Sequence, residues 1–301
     1  MRLFLIYILL TIGILAHGQT YPVLTNYSSD ALVINPSYAG YEGVFTVSGL
    51  CRWQWVGFEG APSTYLLSAH TPLKKENVAL GFLLMNEVIG SRNNLGIFLN
   101  YSYRLKFNTG TLALGLKMGF NNLNKGNVEL RDDAYDNTFD GNISVIQPNV
   151  GVGFMYEHPV FYAGLSVPML FSYETTQSGS STFKNDFSAY NFYFLAGGTY
   201  PVNTDIILRP GTLFIYNKTL KNSFTIDVKA LYQKVYEAGL GIRFGEAIIL
   251  LLGYKVSNQI SAGYSYDFNI GNIGGYTSGS HEIHFKYRFG YKVSAENPRN
   301  F

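Results

Sequence analysis

Side chains that bind metals or drive hydrolysis are sparse in this chain. Its 301 residues include one cysteine, Cys51, and five histidines. None of those histidines has the spacing, or the cysteine partners, of a tetrahedral zinc site. His281 and His284 lie three apart in a stretch that alternates like a strand, so they face opposite sides and do not share an ion. No Gly-x-Ser-x-Gly elbow occurs, and no glycine-rich loop ends in Lys-Ser or Lys-Thr. The run Asp136-Asn137-Thr138-Phe139-Asp140-Gly141 starts like a calcium loop, with oxygen donors at alternate positions and glycine at the sixth. Its twelfth position is Gln147 instead of a bidentate glutamate, so a solvated acidic loop with weak calcium affinity at best is expected. We expect no catalytic residues, no metal and no cofactor.

The remaining functional candidates are surfaces, and composition limits what they meet. Charged residues make up 14%, apolar residues 47% and aromatic residues 16%, far from the usual soluble balance with its roughly 25% charge. A net charge of +2 without a long basic run argues against a nucleic-acid partner. With a single cysteine, no internal disulfide framework exists. Mean hydropathy of +0.05 is too polar for a bundle of membrane helices.

One apolar run stands at the start, from Leu3 to Leu15 behind Arg2, and it is too short to span a bilayer. With small residues at Ala16 and Gly18, residues 1–18 read as a secretory signal peptide and the mature chain begins at Gln19. No cysteine follows that point, which excludes a lipoprotein.

The elements that position any surface are strands. Leu112, Leu114, Leu116, Met118 and Phe120 alternate with Thr111, Ala113, Gly115, Lys117 and Gly119, the period of two that gives a strand two unlike faces. Ile260 to Phe268 and Ile283 to Phe289 repeat the pattern. The opposite face is largely Gly, Ala, Ser or charged, as in a crowded lumen, so the apolar face belongs in lipid. About fourteen such stretches of eight to twelve residues are found, the length and even number of an outer-membrane barrel. Long connections at 54–62, 122–147, 168–187 and 269–280 alternate with short ones at 106–108, 201–204, 233–234 and 257–258, as external loops alternate with periplasmic turns. The expected organisation is therefore a signal peptide (1–18), an N-terminal segment (19–42) acting as a plug or periplasmic lead, an all-β transmembrane antiparallel barrel (43–290) and a short tail (291–301). Aromatic girdles are expected at Tyr101, Tyr103, Tyr254, Tyr287 and Phe289. Arg209, Asp227, Lys229, Glu237, Arg243, Lys255, Asp267, Lys286 and Arg288 are expected to face inward, to pair, hydrate or grip a plug, and to leave a positive lumen.

Longer motifs are more specific. Asn35-Pro36-Ser37-Tyr38-Ala39-Gly40, the run Arg52-Trp53-Gln54-Trp55-Val56-Gly57-Phe58-Glu59-Gly60-Ala61-Pro62, His70-Thr71-Pro72 and Gly279-Ser280-His281-Glu282-Ile283 together resemble the PorP/SprF family. The resemblance covers essentially the mature chain, apart from 122–187. It implies a non-enzymatic outer-membrane barrel of the type IX secretion system, which supports secretion and surface delivery or anchoring of a large adhesin, as in gliding motility. The implied partners are a secreted adhesin with a type IX C-terminal signal domain, periplasmic or outer-membrane machinery components, and membrane lipid.

Asn35, Pro36 and Gly40 suit a fixed turn that brings the N-terminal segment to the barrel mouth. Gly57, Gly60 and Pro62 shape a loop that carries Trp53 and Trp55, the only two tryptophans, with Phe58. Two readings stand for that loop: an interfacial aromatic belt, or a docking surface in which Trp53, Trp55 and Phe58 anchor a partner and Arg52 and Glu59 orient it. The alternative function is an outer-membrane channel or transporter for a small or apolar solute.

Overall fold

The computed structural model describes residues 23–73, 77–126, 143–175 and 181–290. The expected signal peptide (1–18), residues 19–22, the Asp136 calcium-like start and the tail 291–301 lie outside them.

Strands β1 (Thr46–Trp53), β2 (Ser63–Pro72), β3 (Val78–Ile89), β4 (Arg92–Lys106), β5 (Thr111–Lys125), β6 (Ile143–Glu157) and β7 (Phe161–Val167) build half of a wall. After a small hairpin, β8 (Ser172–Thr175) and β9 (Ser181–Lys184), the other half follows. It comprises β10 (Phe192–Gly198), β11 (Tyr200–Pro201), β12 (Ile206–Tyr216), β13 (Ser223–Tyr232), β14 (Tyr236–Arg243), β15 (Ala247–Lys255), β16 (Ile260–Asn269) and β17 (Ser280–Arg288). Because β10 and β11 are one span broken at Thr199, the wall has fourteen crossings. Neighbours pair antiparallel, and β1 pairs with β17 from Thr46↔Arg288 to Trp53↔His281, closing the ring. No helix among the described residues is long and apolar enough to cross a membrane.

Alternation places the side chains as expected. On β5, Leu116, Met118 and Phe120 are exposed to lipid, whereas Ala113, Lys117 and Asn121 are buried inside. Aromatic rings stack side by side on the outer surface, with Phe194, Phe214, Phe224 and Phe244 in successive contacts of 5.9, 6.0 and 5.3 Å across four strands. Near the opposite rim, Tyr236 stacks on Tyr254 at 5.4 Å and Phe45 meets Phe289 at a tilt at 5.0 Å. Such aromatic rows at both ends match the girdles that flank the apolar band of an outer-membrane barrel.

Two features depart from the periodicity. Strands β4, β5 and β6 each run 15 residues, longer than the roughly 9–11 needed to cross. Their upper ends carry Asn93, Asn94, Asn121, Asn122 and Asn124, and alternation of apolar residues fades there because that part of the wall stands in water. The lumen face, in turn, is not uniformly small or charged. Leu66, Leu83, Met85, Phe98, Met155, Tyr193, Leu195 and Leu213 all point inward and are buried, because they pack against apolar side chains of residues 23–42.

A guanidinium facing lipid at the bilayer centre is destabilising by about 2–4 kcal/mol. Leu116→Arg is therefore expected to block assembly, while Ser261→Arg, on an inward face that borders a cavity, assembles normally. Heat-modifiable gel mobility reads both, and equal behaviour of the two variants would mean the faces are assigned wrongly.

Candidate functional site

Residues 23–42 run through the barrel interior, from the loop end of the wall to the turn end, and 43–45 lead out into β1, with Phe45 on the outer rim. Along one side the contact is apolar. Leu32, Val33, Ile34 and Ala39 pack with Leu83, Met85, Phe98, Ala113 and Met155 in one buried cluster. Ala113 therefore meets side chains in the lumen, not water. Lys117 donates to the Val33 carbonyl at 2.7 Å, Ser166 to the Ile34 carbonyl at 2.7 Å and Ser102 to the Ser37 carbonyl at 3.2 Å. Backbone acceptors that a non-strand segment leaves open are thus met by the wall.

The motif at Asn35 is a one-turn 3₁₀ helix, Pro36–Tyr38. Its cap is the Asn35 carboxamide, which accepts from the Ser37 N–H at 3.0 Å and donates to the Phe154 carbonyl at 3.1 Å. Pro36 suits the first position, where no N–H is needed. The turn lies against Gly115 and Gly153, where a Cβ would overlap Ser37 and the Asn35 carboxamide. It sits inside the barrel, deeper than the mouth position expected from sequence, where those glycines open room for it. Tyr38 continues into a stack on Tyr41 at 4.8 Å and an edge contact with His70 at 5.5 Å. Gly40, with φ +76, gives its N–H to His70 Nδ1 at 3.3 Å. Two sequence motifs thirty residues apart thus close on each other.

Across the lumen the contacts are ionic. Arg52 Nη2 meets Asp267 at 2.8 Å and Nη1 approaches Glu282 at 3.5 Å, while Arg243 Nη1 meets Asp267 at 3.0 Å. Glu282 accepts the backbone N–H groups of Thr25 and Asn26, each at 2.8 Å, and the Thr25 hydroxyl donates to Asp267 at 2.8 Å while accepting from Arg52. Two guanidiniums and two carboxylates from four strands therefore clamp one end of the segment. The other end is held by Glu42, which accepts from Lys286 at 2.6 Å and Arg288 at 3.0 Å. Between them, the Tyr27 hydroxyl donates to Asp227 and Lys229 donates to Ser28 at 2.5 Å. Burial and the Asp227 charge push the Tyr27 phenol far above its usual range, so it remains a donor. Burial opposes ionisation of Glu42, yet Lys286 and Arg288 outweigh it and hold that carboxyl below the ordinary range.

The external loop 54–62 is pinned to its neighbour. The Val56 N–H donates to the Gly279 carbonyl at 2.8 Å, the Ser278 N–H donates to the Val56 carbonyl at 2.8 Å, and the Trp55 N–H donates to Ser280 Oγ at 3.1 Å. Trp55 with φ +52, Gly57 with +94 and Gly60 with +72 make its tight course. Pro62 is buried at its base and accepts from the Gln54 N–H.

These placements divide the residues that the sequence grouped. Trp53 faces outward, edge-on to Tyr65 at 6.5 Å, in the position of a belt residue. Trp55 turns to the external opening of the lumen, beside Val23 and Arg52. Phe58 and Glu59 are exposed at the tip. Arg52 does not share that surface: adjacent to outward Trp53, it points inward by strand alternation and is 2% exposed. It is an interior clamp, and the expectation that it orients an external partner is corrected. His281 lies on the outer face against Tyr264, 2.7 Å from its hydroxyl, whereas Glu282 is fully buried. The inward charges expected from sequence are all inside, and Asp227, Lys229, Arg243, Asp267, Lys286 and Arg288 hold residues 23–42. Thr25, Tyr27 and Glu42 were not singled out. Glu42 has one legible signal, being the sole carboxylate between Asp30 and Glu59 in a chain whose later strands carry excess cations. Among the described residues no group of three or more His, Cys, Asp or Glu is placed to hold a metal.

The chain matches the family described as type IX secretion system membrane protein PorP/SprF over residues 16–287, and it belongs to that family. No curated protein sequence matches it. Among solved structures, the CymD monoaromatic hydrocarbon channel is similar, at TM-score 0.51 and 10% identity, with 91% of this chain and 95% of that one covered. The Acinetobacter baumannii outer membrane protein Omp33 aligns at TM-score 0.49 and 8% identity, over 82% and 98%. At such identities the likeness to CymD is one of fold alone. The protein is an outer-membrane β-barrel of a type IX secretion family.

Removing one partner from a buried ion cluster is destabilising by about 3–5 kcal/mol. Asp267→Asn leaves Arg52 with Glu282 and Arg243 with only Glu246 at 4.0 Å, so the segment should loosen and conductance in planar bilayers should rise; unchanged conductance would refute the clamp. Glu42 has a lower pKa folded than unfolded, so its contribution is full above the ordinary glutamate range near pH ~4.3 and is lost as pH falls below it. Thermal unfolding should therefore decline more steeply between about pH 5 and about pH 3 in wild type than in Glu42→Gln. Parallel declines would count against this role.

Proposed function

We propose that this barrel is a non-enzymatic component of type IX export that delivers or anchors a large surface adhesin bearing a type IX C-terminal signal domain. The family supplies the pathway, and one observation supports the surface. The loop from Gln54 to Pro62 is tied to residues 278–280 by three hydrogen bonds, so Val56, Phe58 and Glu59 are presented on a braced support. A bound partner then orders little that is not already ordered, which is the condition under which exposed aromatics contribute most to affinity. Trp55 and Phe58 are the anchors in this reading, Glu59 supplies orientation by charge, and Trp53 seats the loop at the lipid boundary. On the opposite side the barrel is coupled to periplasmic or outer-membrane components of the machinery.

The alternative, a channel for a small or apolar solute, needs a continuous path through the lumen. Residues of the N-terminal segment stand in that path and are bonded to the wall at several points. That occupation favours a scaffold over a conduit.

Trp55→Ala combined with Phe58→Ala is expected to lower adhesin at the cell surface several-fold while barrel mobility stays normal. Labelling intact cells with an antibody to the adhesin measures it. Wild-type surface levels with the barrel assembled would reduce the loop to an interfacial belt.

A further inference from the structure

The lumen is filled unevenly. Residues 23–42 lean on β2 to β7 through their apolar side, and a cavity remains on the other side, against β12 to β17. The turn residues His158, Pro159 and Val235 border it, so it opens at the periplasmic end. Asn26, Ser28, Tyr38, Tyr41 and Glu42 form its inner wall. It shares no lining residue with the second opening at the external end, which is bordered by Val23, Arg52 and Trp55. The Tyr27 bond to Asp227 and the Arg52 clamp lie between the two. The cavity is a vestibule that faces the periplasm, with these contacts on its external side.

Its charge is unbalanced. Arg209, Lys229, Lys255, Lys286 and Arg288 border it, against three carboxylates, Glu42, Asp227 and Glu237. Arg209 pairs with Glu237 at 3.0 Å through Nη1, yet its Nη2 is buried without a hydrogen-bond partner, as is Nδ1 of His284. A buried guanidinium N–H left open in a cationic cavity calls for an acceptor from outside, and the imidazole nitrogen beside it is a second open polar group. Their spread indicates its shape. Arg288, Lys286 and His284 follow one another on the inner face of β17, roughly 13 Å from first to last at about 3.3 Å per residue. The other cations come from β12, β13 and β15 on the same wall. Lys286 and Arg288 also hold Glu42, so the array is partly neutralised within the protein; one small inorganic ion touches a fraction of what remains, whereas an extended chain carrying several carboxylates follows it.

We propose that the periplasmic vestibule receives an extended acidic segment of a periplasmic protein, with Arg209, Lys255 and His284 among the groups that contact its carboxylates. This deepens the secretion reading by naming the chemistry of the periplasmic partner. It rests on that reading only for the partner's identity, because binding itself is a property of the purified barrel.

The test uses the full barrel in detergent and a fluorescent hexaglutamate peptide, with hexaglutamine and inorganic phosphate as comparisons. Hexaglutamate is expected to bind, to weaken about tenfold or more as NaCl rises from about 0.05 to about 0.5 M, and to resist displacement by millimolar phosphate. Ser261→Glu adds a carboxylate to the cavity border without removing an ion pair, and it should weaken binding about tenfold, a loss of ~1.4 kcal/mol. Arg209→Gln should do likewise, with barrel mobility checked for both. Absence of binding, equal binding of hexaglutamine, displacement by phosphate at the peptide's own concentration, or an unaffected Ser261→Glu barrel would each overturn the proposal. None of these results touches adhesin delivery, which is read separately on intact cells.

Discussion

A strand in hydrocarbon has no water to bond its backbone N–H and C=O groups, and each one left open costs several kcal/mol. Everything else here depends on that constraint. The wall has to close, and it does so where β1 meets β17 over eight residue pairs. A ring of fourteen crossings is wider than one that wall side chains alone fill. Its interior must then hold water or chain, and in this protein residues 23–42 take much of the space.

The manner of filling gives the molecule two unlike halves. Against β2 to β7 the segment behaves as part of a hydrophobic core, with Leu32, Ile34 and Ala39 meeting Leu83, Phe98 and Met155. Against β12 to β17 it is held by charges, with Glu42 at one end and Thr25 at the other. Apolar contact is non-directional, while ion pairs and N–H···carboxylate bonds set position. The first excludes water from one side; the second determines where along the barrel the chain sits. The vestibule is what is left where charged residues keep the segment at arm's length from the wall.

The buried clamp of Arg52, Arg243, Asp267 and Glu282 is best understood in those terms. Two positive and two negative groups remove each other's desolvation cost without adding much net stability. Their joint effect is selective: the Thr25 and Asn26 N–H groups fit there because Glu282 offers both oxygens to them. Outside the ring, the loop with Val56 and Phe58 is braced by its neighbour and not by the lumen. The exposed loop tip and the segment in the lumen are thus held by largely different residues, with Trp55 at the border between them.

Alternation along each strand was enough to determine the all-β barrel, the approximate count of spans and the side on which each charge lies. Those follow from a local rule, since neighbouring residues of a strand face opposite ways and lipid tolerates one kind of side chain. Family motifs were equally legible as strings, from Asn35 to Gly40 and from Arg52 to Pro62. Their roles were not. The sequence placed Arg52 with Trp53 and Glu59 as one surface, yet a single step along the strand separates the lipid boundary from a buried clamp. It left 19–42 as either plug or periplasmic lead, because no rule of periodicity tells a loop which wall it will touch. That Gly115 and Gly153 open room for Ser37 and Asn35, that Gly40 reaches His70, and that Glu42 meets Lys286 and Arg288 are facts of register between segments up to 246 residues apart. Only closure of the ring brings such residues within bonding distance, so only the tertiary structure decides what the inward charges hold.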